Sequence, residues 1–524
     1  MTARFLPNIT AALCAVLAIS ACGRSDPDAF IASAQSYLAK SEYQAAIIEL
    51  KNALNKSPDN AQARFLLAKA LLDSGSASAA ETEVRKAMEL KYPAEEIMPV
   101  LAWSLVSQGA YKKAISEVAG STLQSPQARA DVGAAIGTAL IALGQAKEAR
   151  PVITAAIAAQ PTNVRARIAE VRMAATDNDA QGALKLVEAV LAAEPAAPNY
   201  IEALALKADL EIMLSRREDA IKSLKKLVAA APNFLPARYT LVANLIQVKE
   251  IDRAAEETDA LKKMAPGNYR TLYSEALVAF ARGKFDDALA AVQKSLQVDP
   301  GYLPARYLSG IINFQRGLYP AAEDELRMVV AKAPQEDGAR RVLATAYLRR
   351  GQAAKAMETI EPALRRAPTN RELLRLAGDA SLALNEPRKA AEYHERANAL
   401  GGNDVSGRVR LAQVRLASGD TAQGLRELET LISADPKQTE PALALISAHL
   451  NRRELGKALA AAKAFVSSRP GSALAHNTLG VVHLANRDTK SGRAEFEKAL
   501  SLDANFDAAT YNLAMLDISE NDFK

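Results

Sequence analysis

A sequence period of 34 residues runs through residues 235–368 and constrains the fold more than any other feature of this chain. Each of the four copies closes with a proline, and these prolines are Pro266, Pro300, Pro334 and Pro368. The motif LPARY occurs at residues 235–239 and again, two periods later, at residues 303–307. A period of this length is too long for one helix but fits two helices of about a dozen residues and two short turns. Each copy is therefore predicted to be a helical hairpin.

Small and apolar residues recur at fixed places inside the copies. In the copy that ends at Pro300, Leu272, Ala276 and Ala279 have the spacing of one helix face, and Gly283 separates the two halves. Twelve residues before each closing proline stands an alanine, at Ala254, Ala288, Ala322 and Ala356. Because two helices approach closely only where one of them lacks bulk, we expect these alanines to lie at helix crossings.

This pattern resembles the tetratricopeptide repeat (TPR), which combines small residues in both helices with a closing proline. The resemblance implies an all-α fold, a right-handed TPR superhelix (α-solenoid) of about fourteen helical hairpins. A solenoid has no upper size limit because each repeat contacts only its neighbours, so it can take up all 524 residues. The aromatic fraction of 5% suits helices that pack through alanine better than it suits a sandwich or barrel core.

Acidic and basic side chains are nearly balanced and are interleaved along the chain. Lys and Arg number 65 and Asp and Glu number 60, which gives a formal net charge of +5. Interleaved charge of this kind is typical of a solvated surface and lacks the basic patch of a nucleic-acid-binding protein. We therefore expect no nucleic-acid partner.

The first 21 residues have the pattern of a secretory signal peptide. Residues 1–8 carry one arginine and no acid, and residues 9–19 are almost wholly apolar but too short for a permanent membrane-spanning helix. Residues 19–22 read ISAC, which resembles the lipobox of bacterial lipoproteins. The resemblance implies cleavage before Cys22, lipidation of that cysteine, and transport to the outer membrane because Gly23 follows it. The alternative is an ordinary cleaved signal in which Cys22 carries no lipid.

The repeats divide the chain into six predicted segments. In order, these are a signal peptide at 1–21, a lipidated tether at 22–28, N-terminal repeats at 29–161, further repeats at 162–232, regular repeats at 233–368, and C-terminal repeats at 369–524 that end in a half repeat. Pro195 and Pro232 lie 37 residues apart, which predicts an insertion and a bend near residues 195–199. Residues 120–127 are predicted to form a longer loop. Near this loop lies the only tryptophan, Trp103, for which we expect a packing role.

Prolines inside the copies test this register, because the ring fits the first turn of a helix and costs about 3 kcal/mol in its interior. Four prolines are predicted to lie where helices begin, namely Pro236, Pro304, Pro320 and Pro387. Pro151 and Pro362 fall within predicted second helices, where we expect kinks or early helix ends.

Motifs of catalytic and cofactor-binding sites are absent from the sequence. It contains no Gly-Lys-Ser/Thr nucleotide loop, no His-Glu-x-x-His and no Gly-x-Ser-x-Gly, and the repeats leave no room for a catalytic domain. His449 and His483 share a repeat position, and His476 lies two turns before His483, but a metal site would need a third strong ligand to converge with them. We therefore expect a protein that is not an enzyme and uses no cofactor or metal, with its histidines in packing or surface roles.

A stripe of aromatic and apolar residues recurs on the predicted first helices of the regular repeats. In two copies its members have i, i+4, i+7 spacing, and the whole aromatic stripe consists of Tyr239, Tyr273, Leu277, Phe280, Tyr307, Ile311 and Phe314. At equivalent positions in the following two copies we place Arg341, Arg349 and Arg375. In the TPR fold such positions line the concave surface, so the resemblance implies a groove for an extended partner segment with apolar side chains and a carboxylate. The alternative is that the stripe packs between neighbouring first helices.

The combination of a lipobox with a long repeat array resembles the TPR lipoproteins encoded with bacterial exopolysaccharide export machinery, and most closely the PEP-CTERM/exosortase-associated family called PrsT. The resemblance is carried by the lipobox, by the sequence FIASAQSYLAKSEYQAAIIELKNALNKSPDNAQARFLLAKALLDSG from Phe30, and by the repeats. It implies a lipid-anchored periplasmic scaffold that binds proteins of an envelope polysaccharide or secretion system. One alternative is a non-catalytic accessory subunit required by a glycosyltransferase or secretion complex. Another, a cytoplasmic chaperone adaptor, conflicts with the signal peptide.

Overall fold

The computed structural model describes residues 26–193, 200–401 and 404–520. In these ranges the chain forms 29 helices and no strand. Within the same ranges, no helix has both the length and the apolar character needed to cross a membrane. The predicted signal peptide, the lipidation site Cys22 and the predicted bend at residues 195–199 lie outside the described residues.

The first of two compact units, Met1–Pro266, is a stack of helical hairpins. In this N-terminal unit the second helix of each hairpin packs on the first helix of the next. Its helices are α1 (Pro27–Ala39), α2 (Tyr43–Lys56), α3 (Ala61–Asp73), α4 (Ala77–Glu89), α5 (Ala94–Ser107), α6 (Tyr111–Val118), α7 (Pro126–Ala142), α8 (Ala146–Ala159), α9 (Val164–Thr176), α10 (Ala180–Ala193), α11 (Tyr200–Met213), α12 (Arg217–Ala230), α13 (Leu235–Gln247) and α14 (Ile251–Met264).

The second compact unit, Gly267–Lys524, repeats this arrangement. The helices of this C-terminal unit are α15 (Tyr269–Ala281), α16 (Phe285–Val298), α17 (Leu303–Gln315), α18 (Tyr319–Lys332), α19 (Asp337–Arg349), α20 (Ala353–Arg366), α21 (Arg371–Ala383), α22 (Pro387–Ala399), α23 (Val405–Ser418), α24 (Thr421–Ala434), α25 (Thr439–Asn451), α26 (Leu455–Ser468), α27 (Ala473–Ala485), α28 (Thr489–Leu502) and α29 (Asp507–Glu520). The described helices form fourteen hairpins and one further helix, which confirms the predicted all-α solenoid. The six sequence segments stay predictions.

A residue with left-handed backbone conformation follows the first helix of each hairpin. Glycine fills seven of these positions, and all fourteen residues are Ser41, Gly75, Gly109, Gly144, Asn178, Ser215, Lys249, Gly283, Gly317, Gly351, Asn385, Gly419, Arg453 and Arg487. In one such turn the N–H of Lys284 donates to the carbonyl of Ala279 at 2.9 Å, which satisfies a carbonyl at the helix end. Successive turn residues are 34 apart, except for one interval of 35, which ends at Gly144, and one of 37, which ends at Ser215. Both exceptions lie in the N-terminal unit.

An arginine in the first helix bonds to the second helix of its own hairpin and to the end of the preceding hairpin. Nε of Arg306 donates to the carbonyl of Pro300 at 3.0 Å, and Nη1 donates to Glu325 at 2.9 Å. The same pair of bonds is made by Arg64 with Pro58 and Glu83, and by Arg238 with Pro232 and Glu257. The arginine of the LPAR sequence thus connects its own hairpin to the end of the preceding one.

Within a hairpin the two helices cross closely where a small residue lies against a large one. A Cβ atom added to Gly310 in α17 would lie 2.6 Å from Cγ of Leu326 in α18. The sizes are reversed four periods later, where Ile446 and Ala462 are buried in one apolar cluster. The crossings are therefore filled by pairs of complementary size, which is how helices reach the packing density of a protein interior.

Most residues that mark the register lie where the repeat predicts. Ala288 and Ala322 are fully buried. Four prolines occupy the first or second position of helices, and they are Pro236, Pro304, Pro320 and Pro387.

Of the two outcomes expected at the internal prolines, the early helix ends are wrong, and the kinks stay a prediction. Helix α8 continues past Pro151 and helix α20 past Pro362 to the bounds given above. The proline removes one backbone hydrogen bond from each helix. Burial of Ile153 and Ile360, on the same helices, offsets part of that cost.

The predicted longer loop lies between α6 and α7. Helix α6 has only 8 residues, and residues 119–125 connect it to α7, which begins at Pro126. The carboxylate of Glu95 accepts from the N–H groups of Gln124 at 2.6 Å and Ser125 at 3.1 Å. These bonds hold the loop against the start of α5.

Candidate functional site

Two adjoining cavities open among the helices of the N-terminal unit. Their volumes are about 900 Å³ and 760 Å³, and Leu72, Asp73 and Arg165 line both. We call these cavities together the N-terminal groove. Its other aromatic and charged lining residues are Tyr43, Phe65, Lys69, Glu95, Glu96, Trp103, Tyr111, Asp131, Arg172, Tyr200 and Glu202.

Trp103 forms part of the wall of the larger cavity. Its indole N–H donates to the backbone carbonyl of Asp131 at 3.2 Å. The guanidinium of Arg165 lies over the indole ring, 4.8 Å from its centroid, which is a cation–π arrangement. These contacts fix the indole of α5 between α7 and α9 and leave part of the side chain exposed to the cavity.

Asp73 lies at the place where the two cavities meet. It is the last residue of α3 and is half-buried. Burial raises the pKa of its carboxyl above the ordinary 3.8, and the charges of Arg165 and Lys69 oppose this only in part. The carboxylate is therefore poorly stabilised by the protein around it.

Several other polar groups of the groove are bonded within the chain. Arg172 Nη2 donates to Glu202 at 2.8 Å. The carboxylate of Asp131 accepts from Asn163 and from Gln127, each at 2.9 Å. These bonds hold the walls in place, so the groove is pre-formed rather than assembled by a ligand.

The aromatic stripe predicted from the sequence lies half-buried on first helices, and six of its residues belong to the C-terminal unit. The ring of Tyr273 meets the edge of Tyr302 at a centroid distance of 5.3 Å. Phe280 lies 5.7 Å from Phe285 and Phe314 lies 5.5 Å from Tyr319, again between ring centroids. Leu277, Ile311 and the seventh member, Tyr239 in the N-terminal unit, are also half-buried.

The two tyrosines of the stripe in the C-terminal unit are also perturbed electrostatically by their packing. Burial raises the pKa of the Tyr273 hydroxyl, and it raises that of Tyr307 as well. The hydroxyl of Tyr307 lies against Gly338 of the next hairpin, where an added Cβ would be only 2.7 Å from it. These side chains thus take part in contacts between hairpins, and their role in binding a partner stays a prediction.

The predicted basic end of the stripe is engaged by carboxylates of the chain itself. Arg341 forms an ion pair with Glu372, and Arg375 forms one with Asp404. Arg349 is exposed on the last turn of α19. Its assignment as an equivalent position needs a correction, because one period after Phe314 stands Leu348 rather than Arg349.

The four histidines each lie beside one carboxylate. The distances from a ring nitrogen to the carboxylate oxygen are 3.4 Å for His394 and Asp379, 2.8 Å for His449 and Glu454, 2.6 Å for His476 and Glu495, and 3.2 Å for His483 and Asp488. Among the described residues, no group of three His, Cys, Asp or Glu side chains is arranged to hold a metal ion.

Sequence reasoning did not find the N-terminal groove. The signals in the sequence are the loop at residues 120–127 and the nearby Trp103, for which the sequence predicts only a packing role. The contact of Trp103 with Arg165 joins residues from different hairpins, so no local pattern reveals it.

Comparison with known proteins gives matches to one family and to solved structures. The crystal structure of the APC/C hetero-tetramer Cut9-Hcn1 matches with 14% identity and a TM-score of 0.48, over 95% of this chain and 98% of that one. The crystal structure of a tetratricopeptide repeat protein from Parabacteroides merdae ATCC 43184 matches with 20% identity and a TM-score of 0.37, over 47% of this chain and 97% of that one. No curated protein sequence matches the chain.

Two family models, both described as tetratricopeptide repeat, match the sequence. One matches residues 37–97, and the other matches residues 134–200, 273–337, 409–473 and 443–509. Together they cover more than half of the chain and include repeats from both compact units. This protein belongs to the tetratricopeptide repeat family.

Proposed function

We propose that this protein is a scaffold that binds segments of other proteins in the N-terminal groove. The observation that supports the proposal is a pair of adjoining, pre-formed cavities lined by aromatic and charged side chains. Stacked helical hairpins expose long surfaces on which extended segments can lie. No catalytic step is part of the proposal, since TPR proteins typically act by binding.

The scaffold is tested by recovering its partner. Full-length protein is cross-linked in cells, extracted in mild detergent, and compared with a Trp103→Ala variant that has the same expression level and circular dichroism spectrum. Trp103→Ala should lose the cross-linked species, because it removes both the indole wall and the surface on which Arg165 lies. Equal recovery by both proteins would contradict the groove as the binding site.

We further propose that Cys22 anchors the scaffold to the bacterial envelope, with its repeats in the periplasm and the anchor at the outer membrane. The support is the lipobox at residues 19–22 and the apolar run before it. Several acyl chains hold a protein firmly, since each buried methylene contributes about 0.8 kcal/mol. The Cys22→Ser variant should leave the membrane fraction or stay unprocessed. Membrane fractionation and processing like those of the parent would contradict the anchor.

The partner system we propose is that of exopolysaccharide export or of PEP-CTERM/exosortase-linked sorting. The support is the resemblance of the lipobox and repeat array to lipoproteins of those systems. Neighbouring genes for an exosortase and for polysaccharide export are expected. A single dedicated glycosyltransferase gene beside this one, with its product in the cross-linked species, would favour the accessory-subunit alternative.

A further inference from the structure

The centre of the N-terminal groove is a carboxylate without a partner. The carboxylate of Asp73 makes no hydrogen bond or ion pair with any residue in the described part of the chain, although Asp73 is half-buried and lines both cavities. It is also the last residue of α3. Because the C-terminal end of a helix carries partial negative charge, a carboxylate there opposes folding. Binding of a ligand therefore explains the presence of a carboxylate at this position better than the stability of the fold does.

We propose that the N-terminal groove binds an extended protein segment that carries a lysine or arginine, and that this basic side chain pairs with Asp73. The inference rests on the proposed scaffold function and specifies the chemistry of its partner. It also differs from the sequence prediction for the aromatic stripe, which called for a partner with a carboxylate.

The charges that line the groove favour a basic partner over an acidic one. Five carboxylates face three cations there, namely Asp73, Glu95, Glu96, Asp131 and Glu202 against Lys69, Arg165 and Arg172. Arg172 is bonded to Glu202, and Arg165 lies on Trp103, so two of the three cations are already engaged. A carboxylate on the partner would meet excess negative charge, whereas an ammonium or guanidinium group would meet Asp73 and Glu96.

The aromatic walls beside Asp73 suit the rest of a basic side chain. Tyr43, Trp103, Tyr111 and Tyr200 line the larger cavity, which Asp73 also lines. The methylene stem of lysine or arginine can pack on such rings while its cation pairs with a carboxylate. A cavity of about 900 Å³ is large enough for several residues of an extended segment.

The test uses the full-length chain in detergent and immobilised pools of short random peptides that differ at one fixed position. That position holds lysine, norleucine or glutamate, so the pools compare a cation with a neutral side chain of similar shape and with an anion. We expect the lysine pool to retain about tenfold more protein than the norleucine pool, and the glutamate pool to retain least. Asp73→Asn should abolish the preference for lysine, whereas Asp59→Asn, at an exposed turn outside the groove, should keep it.

Charge reversal gives the strongest form of the test. The Asp73→Lys variant should prefer the glutamate pool. Equal retention by the three pools, retention by none, or an unchanged preference in Asp73→Asn would each overturn the inference. The scaffold proposal is tested separately by cross-linking in cells. If Asp73→Asn still recovers the partner and Trp103→Ala does not, the scaffold function holds and the basic contact with Asp73 is wrong.

Discussion

The N-terminal groove and the aromatic stripe of the C-terminal unit differ in what their side chains contact. In the groove, Asp73 and Trp103 line cavities of about 900 and 760 Å³. In the stripe, Tyr273 packs on Tyr302, and Arg341 is paired with Glu372. The groove lies in the unit whose repeat length varies, whereas the stripe in the C-terminal unit lies where the turns are evenly spaced by 34 residues. The side chains of the stripe therefore contact other side chains of the chain, whereas those of the groove leave polar and aromatic surface on a cavity wall.

The physical reason is that a strict period gives each side chain the same neighbours in every copy. An aromatic residue that finds a partner on the next hairpin once will find it again one period later. An interval of 35 residues before Gly144, together with the short α6, changes which side chains meet between hairpins. Functional sites commonly occur where such local rules are broken.

The largest expected effect comes from removing the stripe. The double variant Tyr273→Ala/Tyr307→Ala should lower the unfolding free energy by about 4 kcal/mol, because each half-buried ring contributes about 2 kcal/mol. Retention on the lysine peptide pool should stay at the level of the parent. Thermal melting and peptide retention at a temperature where the protein is folded measure the two effects.

The matched control is Tyr273→Phe/Tyr307→Phe, which keeps both rings and should melt like the parent. If the alanine variant stays folded and stable but no longer captures its partner, the aromatic stripe rather than the N-terminal groove is the binding site.

A change at a helix crossing tests why the regular repeats are closed. Gly310→Ile would push α17 against Leu326 of α18, and overpacking of this kind costs about 3 kcal/mol. Adding Leu326→Ala reproduces the pairing of Ile446 with Ala462 and should recover most of the loss. The melting temperatures of the single and double variants measure both steps. If the parent and Gly310→Ile melt at the same temperature, α17 and α18 do not cross closely at this position.

Much of this architecture follows from the sequence, because the repeat is local. The 34-residue period predicts the hairpins, and the glycines predict half of the turns. The other turns hold residues such as Lys249 and Arg453 with positive φ, which sequence patterns do not indicate because such residues rarely adopt it. The recurrence of LPAR is visible in the sequence, whereas its bonds to Pro300 and Glu325 are not.

The candidate site was much less predictable than the fold. Its definition depends on Asp73, Trp103 and Arg165, which come from three hairpins and share no motif. Their meeting depends on how hairpins of unequal length stack. The stripe was easier to see in the sequence because its residues repeat at the same positions, and that regularity is also what allows them to pack on each other.

The buried alanine of a second helix should tolerate enlargement poorly. Ala288→Leu should lower the unfolding free energy by about 2 kcal/mol, since Ala288 is fully buried in the apolar cluster that α15, α16 and α17 share. The control is Ala290→Leu, two residues along the same helix and exposed, which should change little. Denaturant unfolding of the two variants makes the comparison. Equal stability would undermine the register on which the hairpin assignment depends.

The smallest expected effects on stability come from two carboxylates of the N-terminal unit, Glu81 and Asp73, and they have opposite signs. Hydrogen bonds to Glu81, first of all from Lys113 at 2.7 Å, lower its pKa from 4.5 to about 2. Because this pKa lies below that of the unfolded chain, the stabilisation is present above about pH 4.5 and is lost as the pH falls toward 2. Glu81→Gln should therefore lower stability at pH 7 by about 1 kcal/mol or less, since the pair is close to solvent.

Asp73 should behave in the opposite way. Its raised pKa means that the carboxylate opposes folding at neutral pH and that this cost disappears as the pH falls below the ordinary value of 3.8. Asp73→Asn should then raise the melting temperature slightly at pH 7, whereas Glu81→Gln lowers it, and both differences should shrink toward pH 2. A side chain that destabilises the fold and is needed for lysine binding is retained for its ligand. If Asp73→Asn instead lowers the melting temperature at pH 7, Asp73 supports the fold, and the groove loses its central acceptor.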